Sequence, residues 1–111
     1  MTVFLPEKIC IGGTNLRIEY PEKINNNLLG QVCVAEGVIR IAQKYNCAVG
    51  DIKQSDSSKA NTFYHELTHA ILTTMGEHEL NENEKFVCVF SSFLASSMQQ
   101  IIEIEFDKDG R

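Results

Sequence analysis

The chain has no tryptophan and only two prolines, and it contains no uninterrupted apolar run near the ~18 residues that signal a membrane-spanning helix. No membrane span is therefore expected. The amino terminus, Met1 to Lys8, lacks a basic stretch followed by a long apolar one, so no secretory signal is read there and a cytoplasmic location is the default. Cations are also scarce. Ten lysines and arginines stand against fifteen acidic residues, for a formal charge of -5 and a pI of about 5.1. None cluster in the way that neutralising a row of phosphates requires, which removes nucleic acid from the expected partners.

The four cysteines, Cys10, Cys33, Cys47 and Cys88, form no C-x-x-C pair. A chain of 111 residues can bury a core without covalent staples, so the cysteines read as reduced, mostly buried thiols. No repeat, low-complexity tract or linker divides the sequence. The expectation is one domain over residues 1–111, mainly strands over 1–55 and mainly helices over 56–111. Nothing in the sequence speaks to oligomeric state.

In the first half, Lys8 to Ile11, the turn residues Gly12-Gly13-Thr14-Asn15, and Leu16 to Tyr20 have the alternation and turn chemistry of a β-hairpin closed off by Pro21. Gln31 to Ala35 and Val38 to Ala42 read as a second strand pair turning near Glu36-Gly37. Cys47 to Ser58 is polar and reads as turns.

In the second half, the serines around Asp56 offer N-caps for a helix from about Ser57 or Ser58 to Met75, stopped by Gly76. At 100° per residue, Ala60, Phe63, Tyr64, Leu67 and Ile71 form one stripe, which is expected to pack on the sheet. A further helix should start near Asn81 or Asn83. Its Phe86, Phe90, Phe93 and Ile101 share one face and read as core, while Glu84 lies in line with the small residues Cys88, Ser91 and Ala95. Ile101 to Phe106 fits either more helix or a short strand, and Asp107 to Arg111 reads as a frayed end.

The segment that carries chemistry is His65-Glu66-Leu67-Thr68-His69. Histidines four apart on a helix stand roughly 6 Å apart at Cβ, close enough for both imidazoles to reach one zinc ion. The glutamate between them then lies beside the open coordination position, where it can accept a proton from water. An ordinary helix with solvated histidines is the plain alternative. His65 and His69 lie nearly opposite the apolar stripe, so a site there needs a covering element.

The downstream helix can provide one. If it runs antiparallel to the first, Glu84 near its start meets His69, which makes Glu84 the leading candidate for the third ligand. His78, Glu82 and Cys88 remain alternatives, as does a site with no third protein ligand. The metzincin spacing is absent, because Leu72 and Met75 occupy the places where it requires Gly and His.

Phe63 to Leu72, followed by Met75-Gly76-Glu77 and Asn83 to Val87, resembles the small zincins of phages and mobile elements that are related to the ImmA/IrrE group of metallopeptidases. The resemblance covers about residues 56–98. It implies an α+β fold in which a small, mostly antiparallel sheet packs against the active helix and a second, carboxy-terminal helix. It implies Zn2+ held by His65, His69 and Glu84, with Glu66 as general base and a peptide or protein as substrate. The strand preceding the active helix, Val38 to Ala42, would run beside the bound peptide. Cys88 stands where an acidic residue is common in such proteins, and no oxyanion-stabilising residue is evident, since Tyr64 phases with the core. Arg40, on the strand nearest the expected cleft, reads as part of a solvated strand face. A non-catalytic zinc-binding or protein-interaction module is the second reading.

Overall fold

In a computed structural model, the chain has an α+β fold built from a four-stranded mixed sheet, a separate two-stranded sheet and three helices. The structure describes the backbone of residues 5–108 and the side chains of residues 5–102. The strands all lie within residues 8–53 and the α-helices within 56–108.

Strands β1 (Lys8–Ile11) and β2 (Thr14–Glu19) form the expected antiparallel hairpin. The turn works because Gly12 and Gly13 take positive φ of 51° and 84°, conformations open to glycine at no steric cost. Strands β3 (Gly30–Cys33) and β4 (Val38–Ile41) form the second antiparallel pair. β4 then pairs parallel with β2, so the order is β1-β2-β4-β3. Two of the three pairings are antiparallel, and β3 is an edge strand.

A third hairpin, β5 (Lys44–Cys47) with β6 (Gly50–Lys53), occupies part of the stretch read as turns. Its residues are mostly half-buried or exposed on both faces. Tyr45, Cys47 and Ile52 share one face and Lys44, Asn46, Asp51 and Lys53 the other, but strands of four residues are too short for that alternation to stand out in a polar stretch. Asn27 fixes the hairpin to the preceding loop by donating Nδ2 to the Asn46 carbonyl and accepting the Asn46 N–H, both at 2.7 Å.

Helix α1 (Asp56–Met75) begins where Ser55 Oγ accepts from Ser58 N at 3.2 Å. It ends at Gly76, whose φ of 77° lets the next turn close back on Leu72. Phe63, Tyr64, Leu67 and Ala70 bury against Leu16, Ile18, Ile39 and Ile41 of the central strands, with Ile71 partly buried beside them, and Ala60 is buried as well. Thus the expected stripe does pack on the sheet.

A short helix α2 (His78–Asn81) fills the turn, and α3 (Glu84–Lys108) follows, started by Asn83 Oδ1 accepting from Phe86 N at 3.1 Å. Ile101 to Phe106 continues α3, as do Asp107 and Lys108, while 109–111 lie outside the described residues.

Ser91 and Ala95, in line with Glu84, face inward, but the phenylalanine face of α3, expected in the core, faces out. Val87, Ser91, Ala95 and Gln99 are buried, whereas Phe90, Phe93 and Ile101 are exposed by 45%, 71% and 57%. The physical reason is that α1 already spends its large side chains on the sheet. α3 packs on what remains of α1, and only small residues allow that close approach. Among the described residues, the window Glu84–Ile102 is also long and apolar enough to cross a membrane by length and composition, with 22% of it buried. The cysteines differ from expectation as well. All four are free thiols, but Cys10 and Cys88 are exposed and Cys33 and Cys47 only half-buried.

Candidate metal centre

His65 and His69 lie one turn apart on the outer face of α1, with ring centroids 4.9 Å apart. Both rings are half-buried because the start of α3 lies over them. Glu84, the first residue of α3, brings Oε2 to 3.9 Å from His65 Nε2 and Oε1 to 3.7 Å from His69 Nε2. One donor atom from each of the three residues lies within 4.8 Å of the other two. Two imidazoles and a carboxylate in one cluster are a donor set suited to zinc.

The alternative third ligands are elsewhere. His78 and Glu82 are exposed at the two ends of α2, and among the described residues neither joins the cluster. Cys88 brings Sγ to 4.0 Å from Nδ1 of His65. That is the nitrogen turned away from Glu84.

Asn81 completes the arrangement. Its Oδ1 lies 2.6 Å from His69 Nδ1, and its Nδ2 donates to Thr73 Oγ1 at 3.0 Å. An amide oxygen only accepts, so Nδ1 of His69 carries the proton and Nε2 keeps a free lone pair toward Glu84. In the sequence Asn81 reads only as a cap. Its role depends on the α2 turn folding back twelve residues after His69, which no periodicity records.

Glu66 faces a cleft of about 580 Å³ whose lining includes Gly30, Thr62, His65, Cys88 and Ser91. Burial pushes its carboxyl up to about 7, with the Glu84 charge adding to the rise and His69 opposing it. The same burial, with His69 nearby, holds the His65 imidazolium below the ordinary histidine range against the pull of Glu84.

The strand at this cleft is β3, not β4. β4 runs between β2 and β3 with Val38, Ile39 and Ile41 fully buried. Gly30 of β3 packs so closely on α1 that a Cβ there would overlap the Thr62 methyl and sit 3.2 Å from Glu66 Cγ. Gln54 ties the two elements together. It is buried, donates to the Ala42 carbonyl at 2.6 Å and the Leu29 carbonyl at 3.4 Å, and accepts from Ser58 and Thr62 hydroxyls. The sequence reading missed both residues, and a lone glycine and glutamine give no signal in one sequence.

Arg40, as expected, belongs to a polar strand face, where it meets Glu19, Glu36 and Gln31. Tyr64 is core. It is 5% exposed, edge-on to Phe63 at 5.0 Å, and accepts from Gln99 Nε2 at 3.4 Å.

Comparisons of the chain with family models, with curated proteins and with solved structures each return no match.

Proposed function

We propose that the protein is a zinc-dependent metallopeptidase in which His65, His69 and Glu84 hold the metal and Glu66 is the general base. The observation that carries this reading is the convergence of three donors from two helices beside a half-buried carboxylate in an open cleft. Zinc bound there would polarise the scissile carbonyl and lower the pKa of water to about 7.

The chain's own residues then divide the remaining work. Glu66 accepts a proton as water adds to the scissile carbon, and returns it to the leaving nitrogen as the C–N bond breaks. Asn81 holds His69 in the tautomer that keeps Nε2 available.

Strand β3 offers a place for the substrate backbone. Ala42 N donates to Leu29 O at 2.9 Å across the β3–β4 register. In an antiparallel ladder that bond leaves the polar backbone groups of Gly30 and Val32 pointing away from β4. An extended peptide can pair with them beside Glu66. The substrate class is accordingly a peptide or a protein segment that can be drawn into extended form, and the site of action is the cytoplasm.

A non-catalytic zinc module would be expected to close the metal with a fourth protein ligand. Cys88 is the nearest sulfur, and it sits against Nδ1 of His65. The open cleft beside Glu66 favours hydrolysis instead.

The test is chelator-sensitive cleavage of unfolded protein substrates by parent and Glu66→Gln. The variant should retain about one zinc per chain and lose roughly 100-fold or more in rate. Equal cleavage by the two proteins would remove Glu66 as the base, and no cleavage by stoichiometrically loaded parent would favour the non-catalytic reading.

A further inference from the structure

α3 carries two apolar faces, and its fold uses one. On the outward face Phe86 and Phe90 stack at 5.5 Å with rings 12° from parallel. Together with Val89, Phe93, Lys85 and Asn83 they border an open groove of about 410 Å³. Phe93 is 71% exposed, Ile101 57%, Val89 49% and Phe90 45%. No charged residue occurs from Phe86 to Ile102. An uncharged helix that leaves several large apolar side chains together on its outer face marks an interaction surface.

We propose that this face is the interface of a homodimer, in which α3 packs against α3 of a second copy across a two-fold axis near Phe93. Size is the first argument. With a buried aromatic contributing on the order of 200 Å², the exposed parts of Phe90, Phe93, Val89 and Ile101 supply about 400 Å² per copy. The half-buried Phe86 and the flanking Ser96, Ser97 and Gln100 raise the total for both copies to roughly 1,200 Å², the lower end for a specific interface.

Charge and composition decide between occupants. A lipid surface that attracts proteins is usually anionic and recruits basic side chains, whereas this chain carries -5 and Lys85 is the one cation between Glu84 and Ile102. Inserting α3 as a membrane span would strip Val87, Ser91 and Ala95 from α1, and with them the approach of Glu84 to the histidines. A second copy needs neither change. Its Phe93 meets Phe93, and Phe86 and Phe90 lie toward Ile101 of the other helix. Ser97 and Gln100 lie within the same face and Ser96 at its edge, so the face mixes apolar area with hydrogen-bonding groups as such interfaces do. This inference does not depend on metal binding or on catalysis.

The experiment is sedimentation equilibrium of the purified protein from ~1 to ~300 µM, which brackets micromolar dissociation constants, with and without vesicles of phosphatidylcholine and phosphatidylglycerol. The expected result is a monomer–dimer equilibrium, weakened at least 10-fold by Phe93→Glu and unchanged by Ile52→Glu, a substitution at an exposed apolar position on β6. Unchanged far-ultraviolet dichroism of both variants shows that the fold survives. A parent that stays monomeric throughout overturns the proposal, as does a dimer indifferent to Phe93→Glu. Vesicle binding lost in Phe93→Glu, with no dimer in solution, overturns it in favour of a lipid surface.

Discussion

The two long helices use their side chains in opposite ways. α1 buries large residues, Phe63, Tyr64 and Leu67, against the sheet and turns its chemistry outward. α3 buries small ones, Ser91 and Ala95, and turns its aromatics outward. The contrast explains how a chain of this size brings three candidate donors together. A rigid helix locked on a sheet fixes two histidines, and a second helix can deliver Glu84 to within 4 Å of both because nothing bulky stands between them.

The comparison can be tested from its strongest link downward. Asn81→Ala removes the acceptor at His69 Nδ1 without touching a donor to the metal, and should weaken zinc affinity about 10- to 100-fold in a competitive chelator titration. Unchanged affinity would mean that the burial of α1 alone orients His69.

Ala95→Leu forces a large side chain into the small face of α3. It should destabilise the fold by about 1–3 kcal/mol in urea unfolding and weaken zinc binding by drawing Glu84 away. Phe93→Ser, on the outer face of the same helix, should change stability by no more than about 0.5 kcal/mol when measured on monomer. Similar losses from both substitutions would erase the distinction between the two faces.

A smaller effect follows from Glu66. Its folded-state carboxyl titrates at about 7, above its ordinary value of 4.5, so between those values the metal-free native state holds a proton that the unfolded chain has released. That contribution is fully present at lower pH and is lost as pH rises through about 7. Metal-free parent should therefore lose more melting temperature than Glu66→Gln between pH ~5 and ~7.5. Equal slopes would mean that Glu66 is more solvated than its position in the cleft implies.

How far the sequence was legible follows from the same contrast. α1 could be read to within two residues at its start and to the residue at Gly76, because its apolar positions fall on one stripe and a serine and a glycine punctuate its ends. Glu84 could be singled out because the small row of α3 shares its angle. The phenylalanine face of α3 was expected in the core for the converse reason. With phenylalanines on one side and valine, leucine, alanine and methionine on the other, periodicity marks a helix without choosing its inner face. Choosing required knowing that α1 has no room for aromatics on its outer side. β5 and β6 escape the reading because each is four residues long, too short for the alternation of Tyr45, Cys47 and Ile52 with polar neighbours to stand out. Val38 to Ala42 was expected beside the cleft and β3 stands there instead, because order within a sheet is set by a parallel crossover that the sequence does not announce. Asn81, Gly30 and Gln54 act through tertiary contacts alone.

The most direct test of the proposed centre is zinc K-edge absorption on protein reconstituted with one zinc per chain and dialysed. The account predicts retained metal with nitrogen and oxygen neighbours at about 2.0–2.2 Å and no sulfur near 2.3 Å. Zinc lost on dialysis, or a sulfur neighbour from Cys88, would contradict a site built from His65, His69 and Glu84.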